Sequence, residues 1–467
     1  MKLYNTLTRS VQDFAPQSSD KTTIYTCGPT VYDYPHIGNW FTYVREDVLI
    51  RTLTTVGLNP DWVMNITDVG HLVSDADEGE DKLEKGAKRE GKTAWEVAEF
   101  YTEYFVRGME KLNMLQPTRL TKATEHIAEQ IDLIKKLEEK GFTYTISDGV
   151  YYDTSKFPRY AEFARLELNE QQEGARVEAN PEKRNPTDFA LWKFSPKDHQ
   201  RDMEWDSPWG KGFPGWHIEC SAMAMKYLGE TLDIHAGGID HIPVHHTNEI
   251  AQSEAVTGKP FSRFWFHANH IMINGDKIAK SAGNGITLED ITSAGFSIEA
   301  FRLLVLESHY RTQSHFSWET LEAAQNRLRS YYAMAAMRWQ SFGGVDGLTE
   351  ADMEAYKSAI QTALENDLST PQALAELSSL AEGVSTKGIQ ESSREAFDNL
   401  LIWIDEVLGL RLSQQGDIND HQKQLVEERE TARVGKDWST SDAVRDQLAE
   451  QGVGVRDTAQ GSIWYRL

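Results

Sequence analysis

An apolar, strand-like run at Thr23 to Thr26, an amphipathic helical pattern from about Phe41 to Leu58 and a strand-like run at Asp61 to Ile66 constrain this chain more than any other feature. They predict a β-α-β unit whose first crossover carries Pro35-His36-Ile37-Gly38-Asn39. In a doubly wound parallel sheet that crossover is where phosphate sits, against the open amides of a helix start, so His36 and Asn39 face such a guest. A second peptide, Lys277-Ile278-Ala279-Lys280-Ser281, sets two ammonium groups in a loop between Gly275 and Gly283. That arrangement suits a segment closing over a polyanion, and a nucleotide triphosphate is the obvious candidate. Either peptide alone is weak, because His-x-Gly turns are common and Lys-x-x-Lys usually marks a solvated loop.

The chain has 467 residues, too many for one compact core, which predicts two to four domains. With 40% apolar residues, 10% aromatics and 13 tryptophans it is a globular rather than a disordered class. No apolar run reaches the roughly 18 residues of a membrane span, and Met1-Lys2-Leu3-Tyr4-Asn5 lacks a signal peptide's apolar region. Cytosol is the expected compartment. A formal charge of −24 argues against a sequence-indifferent nucleic-acid coat. It leaves room for an RNA partner gripped by shape and by local basic surface.

Further along, Leu115 to Asp206 reads as a long polar and helical insertion. It includes an amphipathic helix with Ile127, Ile131, Ile134 and Leu137 on one face, ended by Gly141, and a hairpin over Phe142 to Thr154 turning at Asp148-Gly149. The sheet resumes near Leu232 to His235, followed by Ala236-Gly237-Gly238-Ile239-Asp240, where a glycine pair lets backbone approach a nucleotide and Asp240 can hold ribose hydroxyls. Beyond the lysine loop the pattern is helical, with one helix over Ser317 to Trp339, a Gly343-to-Gly347 linker, cap and first-turn character at Thr370-Pro371, and a polar linker at Ser413 to Asp420. The only cysteines, Cys27 and Cys220, are ordinarily inert buried thiols in a reducing compartment, and a disulfide is disfavoured.

The two signature peptides together resemble those of class I aminoacyl-tRNA synthetases. Thr26-Cys27-Gly28-Pro29-Thr30-Val31-Tyr32-Asp33, Gly215-Trp216-His217-Ile218-Glu219-Cys220 and His245-His246-Thr247-Asn248-Glu249 resemble the cysteinyl-tRNA synthetase family specifically, and the similarity runs through nearly the whole chain. It implies a Rossmann-like α/β catalytic domain over 1–316, with the insertion at about 115–206 and the lysine loop at 277–281. A helical bundle follows over 317–412, then a small C-terminal anticodon-recognition module over 413–467. It further implies L-cysteine, ATP with Mg2+ and tRNA-Cys as substrates, and a monomer. His36, Asn39, Lys277 and Lys280 would act in catalysis, and Gly38, Gly238, Asp240 and Lys280 on the nucleotide. Cys27, Thr67 and Trp216 would contact the amino acid, although from spacing alone Trp216 reads equally as core.

Residue-by-residue matching to the family assigns Cys27, Cys220, His245 and Glu249 as ligands of one Zn2+, with His235, His241 and His246 behind them or facing the nucleotide. His245 and Glu249, at i and i+4, share one helix face. Pocket size separates near-isosteres such as cysteine and serine weakly, by about a hundredfold. Zinc binds thiolate far more readily than a neutral alcohol, so no editing domain is needed. In the terminal module Trp438 would stack on an unpaired base while Arg433, Asp442 and Asp457 bond base edges.

Three departures from the family pattern stand out. Ile278 and Ala279 replace a methionine and a serine inside the lysine loop. Val69-Gly70-His71 and a charged stretch from Asp75 to Lys92 follow Asp68 where relatives carry an acid and a lysine; its spacing fails as a calcium loop, and it reads as a solvated insertion. Ala236 stands where relatives have glycine, which requires a negative φ there. Two rival functions are a paralogous ATP-dependent cysteine ligase acting on an amino sugar and a non-catalytic tRNA-binding regulatory protein. The amino-sugar ligases lack the C-terminal module.

Overall fold

A hairpin of β1 (Lys2–Asn5) and β2 (Ser10–Asp13) leads into β3 (Thr22–Thr26), whose residues are all buried in this computed structural model. The structure describes residues 1–70, 81–165, 180–196, 200–273, 276–277, 285–340, 344–458 and 461–467. Helix α1 (Ile37–Thr55) starts before the expected Phe41 because His36 caps it. The His36 Nδ1 accepts the Asn39 amide at 3.3 Å and the Asn39 Oδ1 accepts the His36 amide at 3.1 Å. That reciprocal box satisfies amides that a helix start leaves open. The helix ends at Thr55 rather than Leu58, and Gly57, at φ 77°, turns the chain. Strand β4 (Pro60–Ile66) then pairs parallel to β3, with Ile24 opposite Trp62, which completes the expected β-α-β unit.

The charged stretch read as a solvated insertion is corrected over residues 81–92; residues 71–80 lie outside the described residues. Asp81 caps α2 (Lys82–Glu90) by accepting the Leu83 and Glu84 amides at 2.7 and 3.0 Å, and Leu83 and Ala87 are buried where α2 packs on α3 (Ala94–Lys111). Arg201 pairs with Asp81 out of solvent. Charge in sequence hides this burial because the partner is distant. The expected start of the insertion is also corrected: β5 (Arg119–Lys122) is the edge strand of the main sheet, with Leu120 opposite Met64. Helix α4 (Ile127–Glu139) buries Ile127, Ile134 and Leu137 of the expected apolar face and leaves Ile131 half-buried. What is inserted is a separate antiparallel sheet of β6 (Thr143–Ile146), β7 (Gly149–Tyr152), β8 (Phe189–Phe194) and β9 (Gly212–Pro214). Its hairpin turns at Ser147-Asp148, since Ile146 pairs with Gly149. Gly149 belongs to the strand, where a Cβ would lie 2.4 Å from the Trp192 carbonyl.

Helix α5 (Trp216–Leu228), β10 (Leu232–Gly238), a π-helical turn at Ile242–His246, α6 (Thr247–Thr257) and β11 (Ser262–Ala268) complete the main sheet. Its order is β11-β10-β3-β4-β5, all parallel. The chain winds one way from β3 and the other way from β10, so the carboxyl ends of these two strands flank the crevice where such sheets bind ligands. Cys27 follows β3 there, and Gly238 ends β10. Ala236 is not among the residues of positive φ, as its substitution for glycine required.

A small sheet of β12 (Ile271–Ile273), β13 (Asp276–Lys277) and β14 (Ser314–Phe316) surrounds α7 (Leu288–Ser293) and α8 (Ile298–Leu306) in sequence. The bundle comprises α9 (Trp318–Ala335), capped by Ser317 and continued as a tighter turn to Trp339, then α10 (Glu350–Glu365), α11 (Thr370–Lys387) and α12 (Arg394–Leu408). Ser369, not Thr370, is the cap of α11, with Pro371 in its first turn. The terminal module is α13 (Asp420–Val434), α14 (Trp438–Glu450) and the hairpin β15 (Val453–Thr458) and β16 (Gly461–Arg466), around Leu425, Val444, Leu448 and Trp464.

One apolar core runs from one face of the main sheet into the bundle, and another covers the opposite face beneath α4, α5 and the inserted sheet. Within the first, Arg302 donates to Asp47 at 2.5 Å and to the Leu112 and Leu408 carbonyls, fastening α1 to the end of α12. Among the described residues no helix is long and apolar enough to cross a membrane.

Candidate active site and metal centre

A cleft of about 500 Å³ opens between the carboxyl ends of β3 and β10. The start of α1 forms one wall through His36, Gly38 and Asn39, and Gly238 and Asp240 stand beside it. Gly28 forms part of the floor, and a Cβ there would lie 1.7 Å from the Asn65 carbonyl, so only glycine allows the strands to meet so closely. Its amide donates to Asn65 Oδ1 at 2.8 Å, and Asn65 Nδ2 donates to Thr67 Oγ1 at 3.0 Å, which orients Thr67 at the cleft. The far wall includes His270 and Ile271. From there β12 continues to β13, where Met272 pairs with Lys277. Lys280 and Ser281 lie outside the described residues.

At the inner end of the cleft Cys27, Cys220, His245 and Glu249 converge, all buried, with one donor atom from each lying within 4.8 Å of the others. They come from the end of β3, from α5, from the π-helical turn and from α6. His245 Nε2 meets Glu249 Oε1 at 2.9 Å, and the i and i+4 spacing places both on one face. Trp216, in the turn of α5 preceding Cys220, lines the cleft with its ring 4.6 Å from that of His245.

A second set shares two of these residues: Cys27, His235, His246 and Glu249. His235 Nε2 lies 2.8 Å from Glu249 Oε2 and His246 Nε2 lies 3.3 Å from Cys27 Sγ. The other ring nitrogen of His246 reaches His267, which in turn reaches Thr6. Cys27, Cys220 and His245 face the cleft whereas His235 and His246 sit behind them, so the first set is the one a ligand in the cleft can touch. Gly237 makes room for His241 and His246, since a Cβ there would lie 2.6 Å from His241 Nδ1 and 2.9 Å from His246 Cε1. The glycine pair therefore serves the histidines as well as the nucleotide side that sequence reading gave it.

Proton affinities within the cluster diverge. Burial and the neighbouring Cys220 push the Cys27 thiol well up, while hydrogen bonding from Cys27 and from His245 brings Cys220 down to about 6. Burial opposes charge on His245, yet Glu249 and Cys220 raise it to about 10. Burial also opposes charge on Glu249, yet His235 and His245 hold it below the usual carboxylate range. Two thiols, an imidazole and a carboxylate that displace one another's proton affinities so strongly form a donor set in which a divalent cation can take the place of protons. His217, whose Nδ1 lies 3.0 Å from that of His245, and His267 were not singled out by sequence reading. The Gly215-to-Cys220 peptide contains the first of them, while nothing local marks the second.

In the terminal module Trp438 is 59% exposed at the start of α14. The three charged residues expected to meet base edges have protein partners. Arg433 pairs with Asp457, which also meets Arg429 at 2.6 Å, and Asp442 meets Arg445 at 3.1 Å.

A family model described as tRNA synthetases class I (C) catalytic domain matches residues 13–326, and one described as Cysteinyl-tRNA ligase anticodon binding domain matches residues 415–466. The chain is similar to a cysteine–tRNA ligase of Treponema denticola, 43% identical with all of both chains covered. It is also similar to cysteine–tRNA ligase 1 of Burkholderia lata, 46% identical over 99% of this chain and 96% of that one. Among solved structures, Mycobacterium tuberculosis methionyl-tRNA synthetase in complex with methionyl-adenylate shares the fold, with a TM-score of 0.60 and 13% identity over 86% of this chain and 95% of that one. The chain belongs to the cysteine–tRNA ligase family of class I tRNA synthetases.

Proposed function

We propose that the chain activates L-cysteine with ATP and transfers it to the 3′ end of tRNA-Cys, and that Cys27, Cys220, His245 and Glu249 hold one zinc ion. The observation that carries this reading is a sulfur-rich donor set opening directly onto a phosphate-type cleft. Two thiols, one imidazole and one carboxylate suit zinc better than calcium or magnesium, which prefer oxygen. A zinc ion held by these residues would supply a Lewis-acid site for the substrate sulfur as thiolate, which would separate cysteine from serine. Trp216 closes that pocket with an apolar face, and Thr67 lies where it can bond the amino acid.

The ATP triphosphate lies against the start of α1, between His36, Asn39 and the lysines Lys277 and Lys280, with Gly38 and Gly238 admitting it closely and Asp240 on the ribose. Magnesium accompanies the polyphosphate. The cysteine carboxylate attacks the α-phosphorus in line; the bond to the bridging oxygen breaks, and pyrophosphate leaves. The amide and ring donors with the lysines stabilise the charge that grows at that point. The acyl group then passes to the terminal adenosine of tRNA-Cys while Trp438, with Arg433, Asp442 and Asp457, reads the anticodon. Such an enzyme works in the cytosol, here as a monomer. The terminal module supports this reading over an amino-sugar ligase.

Cysteine-dependent pyrophosphate exchange, followed by charging of tRNA-Cys, tests the proposal. Exchange with cysteine far above that with serine, and about one zinc per chain, are expected. Transfer of activated cysteine to an amine and never to tRNA would sink it.

A further inference from the structure

Asp367, in the turn between α10 and α11, has φ 59°, and Leu368 follows at φ 52°. Two successive residues with side chains in the left-handed region persist only where surrounding bonds hold them. Asp367 carries such bonds. Its Oδ1 accepts the Tyr4 amide at 2.7 Å and the Tyr310 hydroxyl at 2.6 Å. Its Oδ2 accepts Arg311 Nε at 2.9 Å and Nη2 at 2.7 Å, and its carbonyl accepts His309 Nε2 at 2.8 Å.

The segment so gripped is bonded on its other side to the cleft. The Asn269 amide donates to the Tyr310 carbonyl at 2.8 Å, Asn269 Nδ2 to the Arg311 carbonyl at 3.0 Å, and the Ser314 amide to the His270 carbonyl at 3.0 Å. Arg45, on α1, donates to the carbonyls of Tyr310 at 2.8 Å and Asn269 at 3.1 Å. His270 and Ile271 then line the cleft, and Ile271 begins the strand that pairs with β13. A carboxylate of the bundle is thereby linked to the nucleotide side through one short segment.

We propose that Asp367 is a positioning residue for cysteine activation, fixing the His270 and Ile271 wall of the cleft through its grip on Tyr310 and Arg311. The inference deepens the function proposed above and rests on it. A wall displaced by a fraction of an ångström changes the reaction geometry more than it changes how tightly the amino acid is held.

Asp367→Asn keeps the shape of the side chain and removes the charge that Arg311 grips. Arg311→Lys keeps the opposite charge and removes the fork. With active sites counted from the adenylate burst, Asp367→Asn should slow single-turnover adenylate formation about tenfold. Arg311→Lys should slow it less, and in both variants the KM for cysteine and the metal content should stay as in the wild type. A wild-type rate per active site in Arg311→Lys and in the folded fraction of Asp367→Asn, with only the melting temperature lowered, would overturn the proposal. A loss residing wholly in the KM for cysteine would overturn it as well. A wild-type protein without cysteine-dependent exchange would overturn the synthetase reading itself and this proposal with it, so the two failures are distinguishable.

Discussion

Around the cleft, Cys27, His235, His246 and Glu249 are buried and each touches another member of the cluster. In the terminal module Trp438 stands out in solvent, and Arg433, Asp442 and Asp457 pair with neighbours at the surface. The contrast separates two ways of being ready for a partner. A pocket for an ion and a small amino acid gains from donors fixed in advance, because each is desolvated once, on folding. A surface for a large nucleic acid can keep its charges in exchangeable ion pairs, which are individually weak and open when a base arrives.

The largest expected effect comes from breaking the first kind of site. If Cys220 is a ligand of the proposed zinc, Cys220→Ser should lose the metal and lower cysteine activation more than a hundredfold, an order of magnitude comparable to removing a strong electrostatic group. Metal analysis and pyrophosphate exchange with cysteine and serine check it. Full zinc content with unchanged cysteine-over-serine preference would show that the cluster is not the selecting site.

Breaking the second kind should cost less and leave activation untouched. Trp438→Ala should leave pyrophosphate exchange near the wild-type rate while weakening tRNA-Cys use by about tenfold, since one base stack is worth roughly 1–3 kcal/mol. The loss should shrink on transcripts already altered in the anticodon. Equal charging of both transcripts by wild type and variant would place recognition elsewhere.

The smallest effect sharpens the comparison from inside the cleft's own helix. Glu46 and Asp47 are adjacent on α1 and both fully buried, but Asp47 meets Arg302 and Arg51, whereas neither oxygen of Glu46 has a hydrogen-bond partner among the described residues. Burial raises the Glu46 carboxyl well above its ordinary value. A carboxyl raised on folding gives stability that is full below its unfolded pKa and is lost as pH rises through the folded value. Glu46→Gln should therefore be the more stable protein at pH 8, by about 1 kcal/mol or more, with the gap narrowing towards pH 5. Urea unfolding at both values measures it, and an equal difference at the two would mean that the carboxyl is solvated or paired.

The same pair shows what sequence could convey. Periodicity revealed α1 and its flanking strands, because alternation and helical spacing are local. The i and i+4 placement of His245 and Glu249 was legible for the same reason. Two adjacent acids on one helix gave no sign that one would find Arg302, 255 residues away, and the other no partner among the described residues. Asp81 and its helix were misread as solvated because Arg201 was likewise remote, 120 residues away. The short edge strand Arg119–Lys122 was missed because Leu120 is its one apolar residue among polar neighbours at a sheet margin, too little to form an apolar run. Nothing local marked Asp367 as a residue gripped from several sides, since a left-handed aspartate has no composition cue.

The strand order has a consequence in time. A ribosome delivers β3, α1, β4 and β5 first, and these can dock as a unit whose apolar β3 edge has no neighbour until Leu232–Gly238 emerges. Making the chain from Lys122 to Leu232 takes on the order of ten seconds at usual synthesis rates. Throughout that interval the nascent protein presents an open strand edge, a template for misassembly with other chains. The inserted antiparallel sheet is synthesised within the same window, so it lengthens the exposure that any chaperone of this enzyme has to cover.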